Sequence, residues 1–189
     1  MNVLAGHALE ILREDNEFTL FRGHRLSDSS RVLAVAPRHG SQGVTVLKRL
    51  ENEFAFANEL DSAWAARPLE LLHHNGNAAL ILEDPGGYPL DSRLGTAFEI
   101  TAFLRIAVSL AEAIRQIHFR GLIHKDIKPA NLFVDETHVV RVTGFGIASR
   151  LSRERQALAP PEFIAGTFAY MAPEQTGRMN RSVDARSDL

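Results

Sequence analysis

The chain has 189 residues, of which 45% are hydrophobic and 23% charged, with a formal net charge of -2, eight His and no Cys. That is enough apolar material for one domain or two small lobes, and it excludes a disordered or fibrous chain. Without Cys there are no disulfides or thiolate metal sites, and the small net charge gives no whole-surface attraction for nucleic acid or anionic lipid.

The first residues, MNVLAGHALEILRED, turn acidic before an apolar signal-peptide core can form. No later apolar run reaches the roughly 18 to 20 residues of a membrane span, so the expected setting is cytoplasmic, with no membrane and no nucleic acid as partner. The His residues lack the close, repeated spacing of a zinc site.

From 17 to 36, "EFTLFRGHRLSDSSRVLAVA" gives two apolar runs about a polar turn at Ser27 to Ser30, which predicts a hairpin. From 43 to 60, "GVTVLKRLENEFAFANEL" sets Val46, Leu47, Leu50, Phe54 and Ala57 at helical spacing. "NAALILEDPGGYPL", 77 to 90, predicts a buried strand that breaks at Pro85, Gly86 and Gly87. "TAFLRIAVSLAEAIRQIHFRG" predicts a helix over 101 to 120, capped by Gly121. Its Phe103, Leu104, Ile106, Val108, Leu110, Ile114 and Ile117 fall on several sides, the pattern of a helix buried all round. Strand candidates at Leu132 to Val134 and Val139 to Val142 follow. A β-rich front half and an α-rich back half imply an α+β, two-lobed fold with its boundary in the Pro/Gly stretch.

The stretch "GLIHKDIKPANLFVDETHVVRVTGFGIAS", 121 to 149, carries the chemistry. "HKDIKPAN" places a Lys two residues and an Asn five residues after an Asp, and "GTFAYMAPEQ" follows at 166 to 175. In this order the two segments resemble the catalytic loop and the end of the activation segment of protein kinases. "AYMAPEQTGRMNRSVDARSDL" further resembles the amino-terminal kinase-like domain of large bacterial signalling proteins that also carry an ATPase module and a sensor histidine kinase.

The resemblance implies a bilobal kinase fold, a small lobe with hinge over 1 to 87 and part of a large lobe over 88 to 189. It implies ATP and magnesium as cofactors, Asp126 as base, Lys128 beside the transferred phosphate and Asn131 on metal. Glu53 would be the helix carboxylate and Glu83 part of the adenine-facing hinge.

Several positions depart from that pattern. Gly144 stands where the metal-binding Asp belongs, eighteen residues after Asp126. Counting back from Glu53 places the strand Lys at Ala36 or Pro37, and Lys48, five residues before Glu53, reads as a solvated helix residue. The phosphate-loop stretch "LREDNEFTLF" has no Gly and carries Glu14, Asp15 and Glu17. Pro85 falls where a backbone N–H would meet adenine, and it has none to give. Lys125 replaces the Arg whose fork would hold a phosphorylated loop. His118 and His124 read as packing or hydrogen-bonding residues, and Ser149, Ser152 and Thr167 as the hydroxyls of the segment, Thr167 supporting the loop.

Kinase domains continue past Ala-Pro-Glu into further helices, so the chain reads as a fragment or a truncated frame, with Asp188 as the residue that would support the catalytic loop and with part of the apolar surface of 101 to 120 expected to be left exposed. The expectation is an impaired, regulatory kinase-like domain whose partners are other domains of a larger signalling protein or a separate protein. An active Ser/Thr kinase is the alternative, with Asp135 or Glu136 poorly placed to replace the lost carboxylate. A small-molecule phosphotransferase shares the His-x-Asp and Asn spacing but not the Ala-Pro-Glu segment.

Overall fold

The computed structural model describes residues 2–4, 6–38, 43–74, 77–151, 166–176 and 182–189. Two compact units emerge: the first holds residues up to Ser62 and Ala66–Asp84, the second Ala63–Ala65 and Pro85–Leu189.

The first unit is a six-stranded sheet with one helix. Its strands are β1 (Asn2–Leu4), β2 (His7–Glu14), β3 (Phe18–Arg25), β4 (Arg31–Pro37), β5 (Pro68–His74) and β6 (Asn77–Glu83), in the order β1-β2-β3-β4-β6-β5, every neighbouring pair antiparallel. The predicted hairpin is β3–β4, with Ser29 at φ 58 in its turn. The sequence reading did not place β1, β2 or β5.

Helix α1 (Val44–Phe54) packs against β4, β5 and β6. Its apolar side is Val46 and Leu50, while Phe54 is exposed and Phe56 is buried in its stead. The cause is local: the helix gives way to turns after residue 54, and the altered rotation carries Phe56 inward. Leu9, Val32, Ala34 and Ile81, with Phe21 and Leu72, form a cluster of sheet side chains. Leu33 and Leu82 pair one residue out of step with Ala34 and Ile81, so they point to the opposite face, and they are equally buried. Burial on both faces explains why 78 to 82 reads as a continuous apolar run rather than an alternation.

In the second unit, α2 (Ile100–Phe119) is capped at its start by the Glu99 carboxylate, which accepts from Ala102 N–H. It ends as predicted, with Gly121 at φ 68 just past the last turn. Strands β7 (Tyr88–Pro89), β9 (Leu132–Val134) and β10 (Val140–Val142) form a small sheet, and β8 (Leu122–Ile123) pairs with β11 (Ser149–Arg150). Only glycine fits at 87: φ is 62, and a Cβ would lie 2.1 Å from the Val134 carbonyl oxygen. Among the described residues α2 is covered on one side, and part of its apolar surface is exposed, as the sequence reading expects for these 189 residues. Ile106, Ala113, Ile114 and Ile117 are covered, whereas Phe103, Leu104 and Val108 are exposed, because the unit packs against one side of the helix only. Among the described residues no helix is long and apolar enough to cross a membrane.

The end of β6 is fixed by charge. The Asp84 side chain is fully buried and meets Arg22 at 3.0 Å and Arg31 at 3.2 Å. Removing one member of a buried pair strands the other in a poor solvent, so Asp84→Ala should lower the stability of the first unit by about 3 kcal/mol. Urea denaturation followed by circular dichroism measures it, and a loss below about 1 kcal/mol would show that the pair behaves as a surface pair.

Candidate functional site

The catalytic-loop motif is built from the backbone outward. After β8 the chain cannot continue the strand, because Lys125 adopts a left-handed φ of 68. Three contacts hold that bend. The Asp188 carboxylate accepts from His124 N–H at 2.9 Å and from Lys125 N–H at 2.8 Å, and the Lys125 carbonyl accepts from Gln175 Nε2 at 2.8 Å. His118 Nε2 lies 2.9 Å from the same Asp188 carboxylate. Burial opposes the charge on Asp188, but the hydrogen bond from His118, the neighbouring His124 and the two backbone N–H groups outweigh it, and its carboxyl lies below the usual value.

His124 is fully buried and acts as a spacer. Its Nε2 donates to the Thr143 carbonyl at 3.0 Å while Nδ1 accepts from Asp126 N–H at 3.2 Å, which assigns the neutral tautomer. Burial pushes its imidazole below the ordinary value, against the pull of Asp188. The Phe145 ring meets it edge-on at 4.6 Å.

Asp126, Lys128 and Asn131 come together as the motif implies, and both oxygens of Asp126 are engaged. Oδ1 accepts from Thr167 N–H and Thr167 Oγ1, each at 2.9 Å. Oδ2 meets Lys128 Nζ at 2.8 Å and Asn131 Nδ2 at 3.0 Å. Lys128 also donates to Thr167 Oγ1 at 2.5 Å, and Asn131 Nδ2 to the Asp126 carbonyl at 2.8 Å. Thr167 is thus tied into the loop. The sequence reading counts Ser149 among the available hydroxyls of the segment, but it is buried in β11, paired with Ile123, and is not available. Ser152 lies outside the described residues.

Gly144 has φ 81 and ψ 45, a left-handed conformation favouring glycine. A Cβ built there would fall 2.8 Å from Cγ and Nδ2 of Asn131. The Asn131 amide therefore occupies the space beside residue 144, and no carboxylate stands there. Asp135 supplies no substitute. Its Oδ1 accepts from Thr137 N–H, Thr137 Oγ1 and Val139 N–H, and its Oδ2 from Arg141. Burial works against that charge, yet these bonds bring its carboxyl down to about 2.

The first unit holds the remaining expected positions. Glu53 is buried on α1 and Lys48 is exposed on the same helix. Ala36 on β4 offers no ammonium, and neither does Pro37. The turn between β2 and β3 is short and closed on itself: Asp15 Oδ1 accepts from Glu17 N–H at 2.9 Å and Phe18 N–H at 2.7 Å. Glu17 forms an ion pair with Arg49 of α1, and its carbonyl accepts from Arg38 N–H at 2.8 Å. Glu83 Oε2 accepts from Ser62 Oγ at 2.5 Å. In the second unit the Pro85 carbonyl accepts from Arg141 at 3.2 Å. Gln175 and the turn-closing role of Asp15 escaped the sequence reading. A short Asp-x-Glu turn was a usable signal for the second, whereas the partner of Gln175 lies fifty residues away.

A protein-family profile described as "Protein kinase domain" matches residues 30–189. The chain belongs to the protein kinase family. It is 36% identical over 114 residues to "Serine/threonine-protein kinase Pkn1" of Myxococcus xanthus, covering 58% of this chain and 16% of that relative. It is 38% identical over 90 residues to "DNA damage-responsive serine/threonine-protein kinase RqkA" of Deinococcus radiodurans, covering 48% and 13%. Against "Serine/threonine-protein kinase PknB" of Mycobacterium tuberculosis it is 35% identical over 86 residues, covering 46% and 13%. The matches span less than one fifth of these relatives' length. The kinase domain described here thus has bacterial Ser/Thr kinases as homologues.

Because burial disfavours the charged imidazole of His124, this kinase domain should lose stability in acid. The folded pKa of His124 lies below the ordinary 6.5, so the stability it contributes is present above 6.5 and is lost as pH falls through the folded value. The urea midpoint should fall between pH 7.5 and 5.5, and His124→Asn should flatten that dependence. An equal slope in the variant would place the proton uptake elsewhere.

Proposed function

We propose that this chain is a pseudokinase domain, a regulatory module of a bacterial signalling protein that performs no efficient phosphoryl transfer. Gly144 carries the argument. Phosphoryl transfer to a protein hydroxyl needs a base, a metal held by carboxylate and amide, and a cradle for the phosphates. Asp126, Lys128 and Asn131 supply the base, the ammonium and the amide. No carboxylate joins Asn131 at residue 144, and the Asn131 amide fills the adjacent space.

Magnesium–ATP does not fit the residues present. In the first unit, the N–H groups of Glu17 and Phe18 already donate to Asp15, and the turn is acidic where a cradle would need open donors. Position 36 or 37 has no Lys to meet the phosphates, and Pro85 has no N–H. What remains is a rigid loop, Asp126 bonded on both oxygens, suited to presenting a surface. Its partners are other domains of the same signalling protein or a separate protein, in the cytoplasm. The retained Asp126, Lys128 and Asn131 favour one other reading, a Ser/Thr kinase of low activity, and the two experiments below separate them.

A thermal melt with ATP and magnesium should show no saturable shift. A ligand at one hundred times its dissociation constant would add about 2.7 kcal/mol of stability, so a shift of several degrees would overturn this reading.

Gly144→Asp should restore no kinase activity. Its Cβ must displace the Asn131 amide and hold a left-handed backbone, costing about 1–2 kcal/mol, and the phosphate cradle stays absent. Transfer of labelled phosphate by this single variant would show that Lys48 serves as the missing ammonium.

A further inference from the structure

By composition the Pro/Gly stretch after β6 reads as a flexible connector, yet none of residues 85 to 90 is exposed. Three contacts hold it to β9 and β10 of its own unit. Tyr88 and Pro89 pair with Val134 and Phe133. Gly87 lies so close to β9 that a Cβ would fall 2.1 Å from the Val134 carbonyl oxygen. On β10, Arg141 Nη1 donates to the Pro85 carbonyl at 3.2 Å and to Asp135 Oδ2 at 3.1 Å. Further along, the Arg93 guanidinium lies 4.7 Å from the centre of the Tyr88 ring, and Ser92 Oγ donates to the Pro89 carbonyl at 2.7 Å.

Strand pairing begins only at Tyr88, whereas the two preceding glycines stand at φ 75 and 62, a conformation glycine leaves as readily as it enters. The bond from Arg141 fixes the segment ahead of them, at Pro85. Arg141 is itself held in place. Asp135 Oδ1 accepts from Thr137 N–H, Thr137 Oγ1 and Val139 N–H, so the carboxylate cannot turn away, and its Oδ2 faces the guanidinium. Burial opposes the charge on Asp135, but these bonds bring its carboxyl to about 2, so the pair stays ionised through neutral and mildly acidic pH. Nη1 carries two N–H groups, one for each acceptor. The turn between β9 and β10 thus aims one nitrogen at the Pro85 carbonyl.

We propose that Arg141 is a positioning residue which, anchored on Asp135, clamps the Pro85 carbonyl and makes residues 85 to 90 a strap fixed on the second unit. It stands apart from the nucleotide reading, since neither residue 144 nor the catalytic loop takes part. Amide hydrogen exchange of the 189-residue chain, followed by NMR, reads it at Gly86, Gly87 and Tyr88, with the amides of α2 as the internal reference. In the unaltered chain these three amides should exchange at least a hundredfold more slowly than in a free peptide. Arg141→Gln should speed them at least tenfold while α2 stays within twofold, since a general loss of stability would raise both. Asp135→Asn, which keeps the acceptor oxygen of the turn and removes the charge, should do the same. The double variant should exceed either single variant by less than twofold, because the two residues act as one unit. Exchange at the free-peptide rate in the unaltered chain, no rise in either single variant, a rise shared equally by α2, or a double variant that multiplies the two single effects would each overturn the proposal. Should Arg141→Gln fail to fold, Asp135→Asn and the unaltered chain decide.

Discussion

One buried carboxylate, Asp188, sets the geometry on which the catalytic loop depends. It binds the N–H groups of His124 and Lys125 and lies against His118, so the loop is forced through the left-handed bend at Lys125. Everything downstream inherits that bend. His124 turns inward to bridge Thr143 and Asp126, and Asp126 is delivered to Lys128, Asn131 and Thr167. Because the interior is a poor solvent for charge, a carboxylate so fully satisfied is worth more than the sum of weak surface contacts.

That scaffold stands around Asp126, Lys128 and Asn131, whereas residue 144 beside them carries no side chain. The loop holds Asp126, Lys128 and Asn131 together, and Gly144 keeps the left-handed conformation without a carboxylate to project. Two physically separate requirements have therefore come apart. The loop serves the fold through Asp188 and Gln175, both buried, and would persist whether or not phosphate is transferred. A metal site needs charge at a point, and charge at 144 is what the chain lacks.

The first unit shows a similar substitution of internal for external partners. Asp15 takes the N–H groups of the β2–β3 turn, Glu17 takes Arg49, and Asp84 takes Arg22 and Arg31. Each is a charged group satisfied by the protein itself, and a backbone donor bonded internally is no longer offered to a ligand.

The sequence alone determined the family, the order of Asp126, Lys128 and Asn131, the loss at Gly144, the β3–β4 hairpin, the strand broken at Pro85 and the long helix α2. These are local matters: periodicity, turn chemistry and fixed spacing within a motif are legible because the residues concerned are neighbours in the chain. Strand β5 escaped because "PLELLHH" shows no clean alternation, and its identity comes from pairing with β6. Only the tertiary structure decided that Gln175 holds Lys125 from fifty residues away and that Asp84 is gripped by Arg22. The same is true of α2, where the sequence showed apolar residues on several sides but not which side would be covered. Burial depends on what packs against a helix, and that is settled by contacts between residues far apart in sequence, which no window along the chain contains.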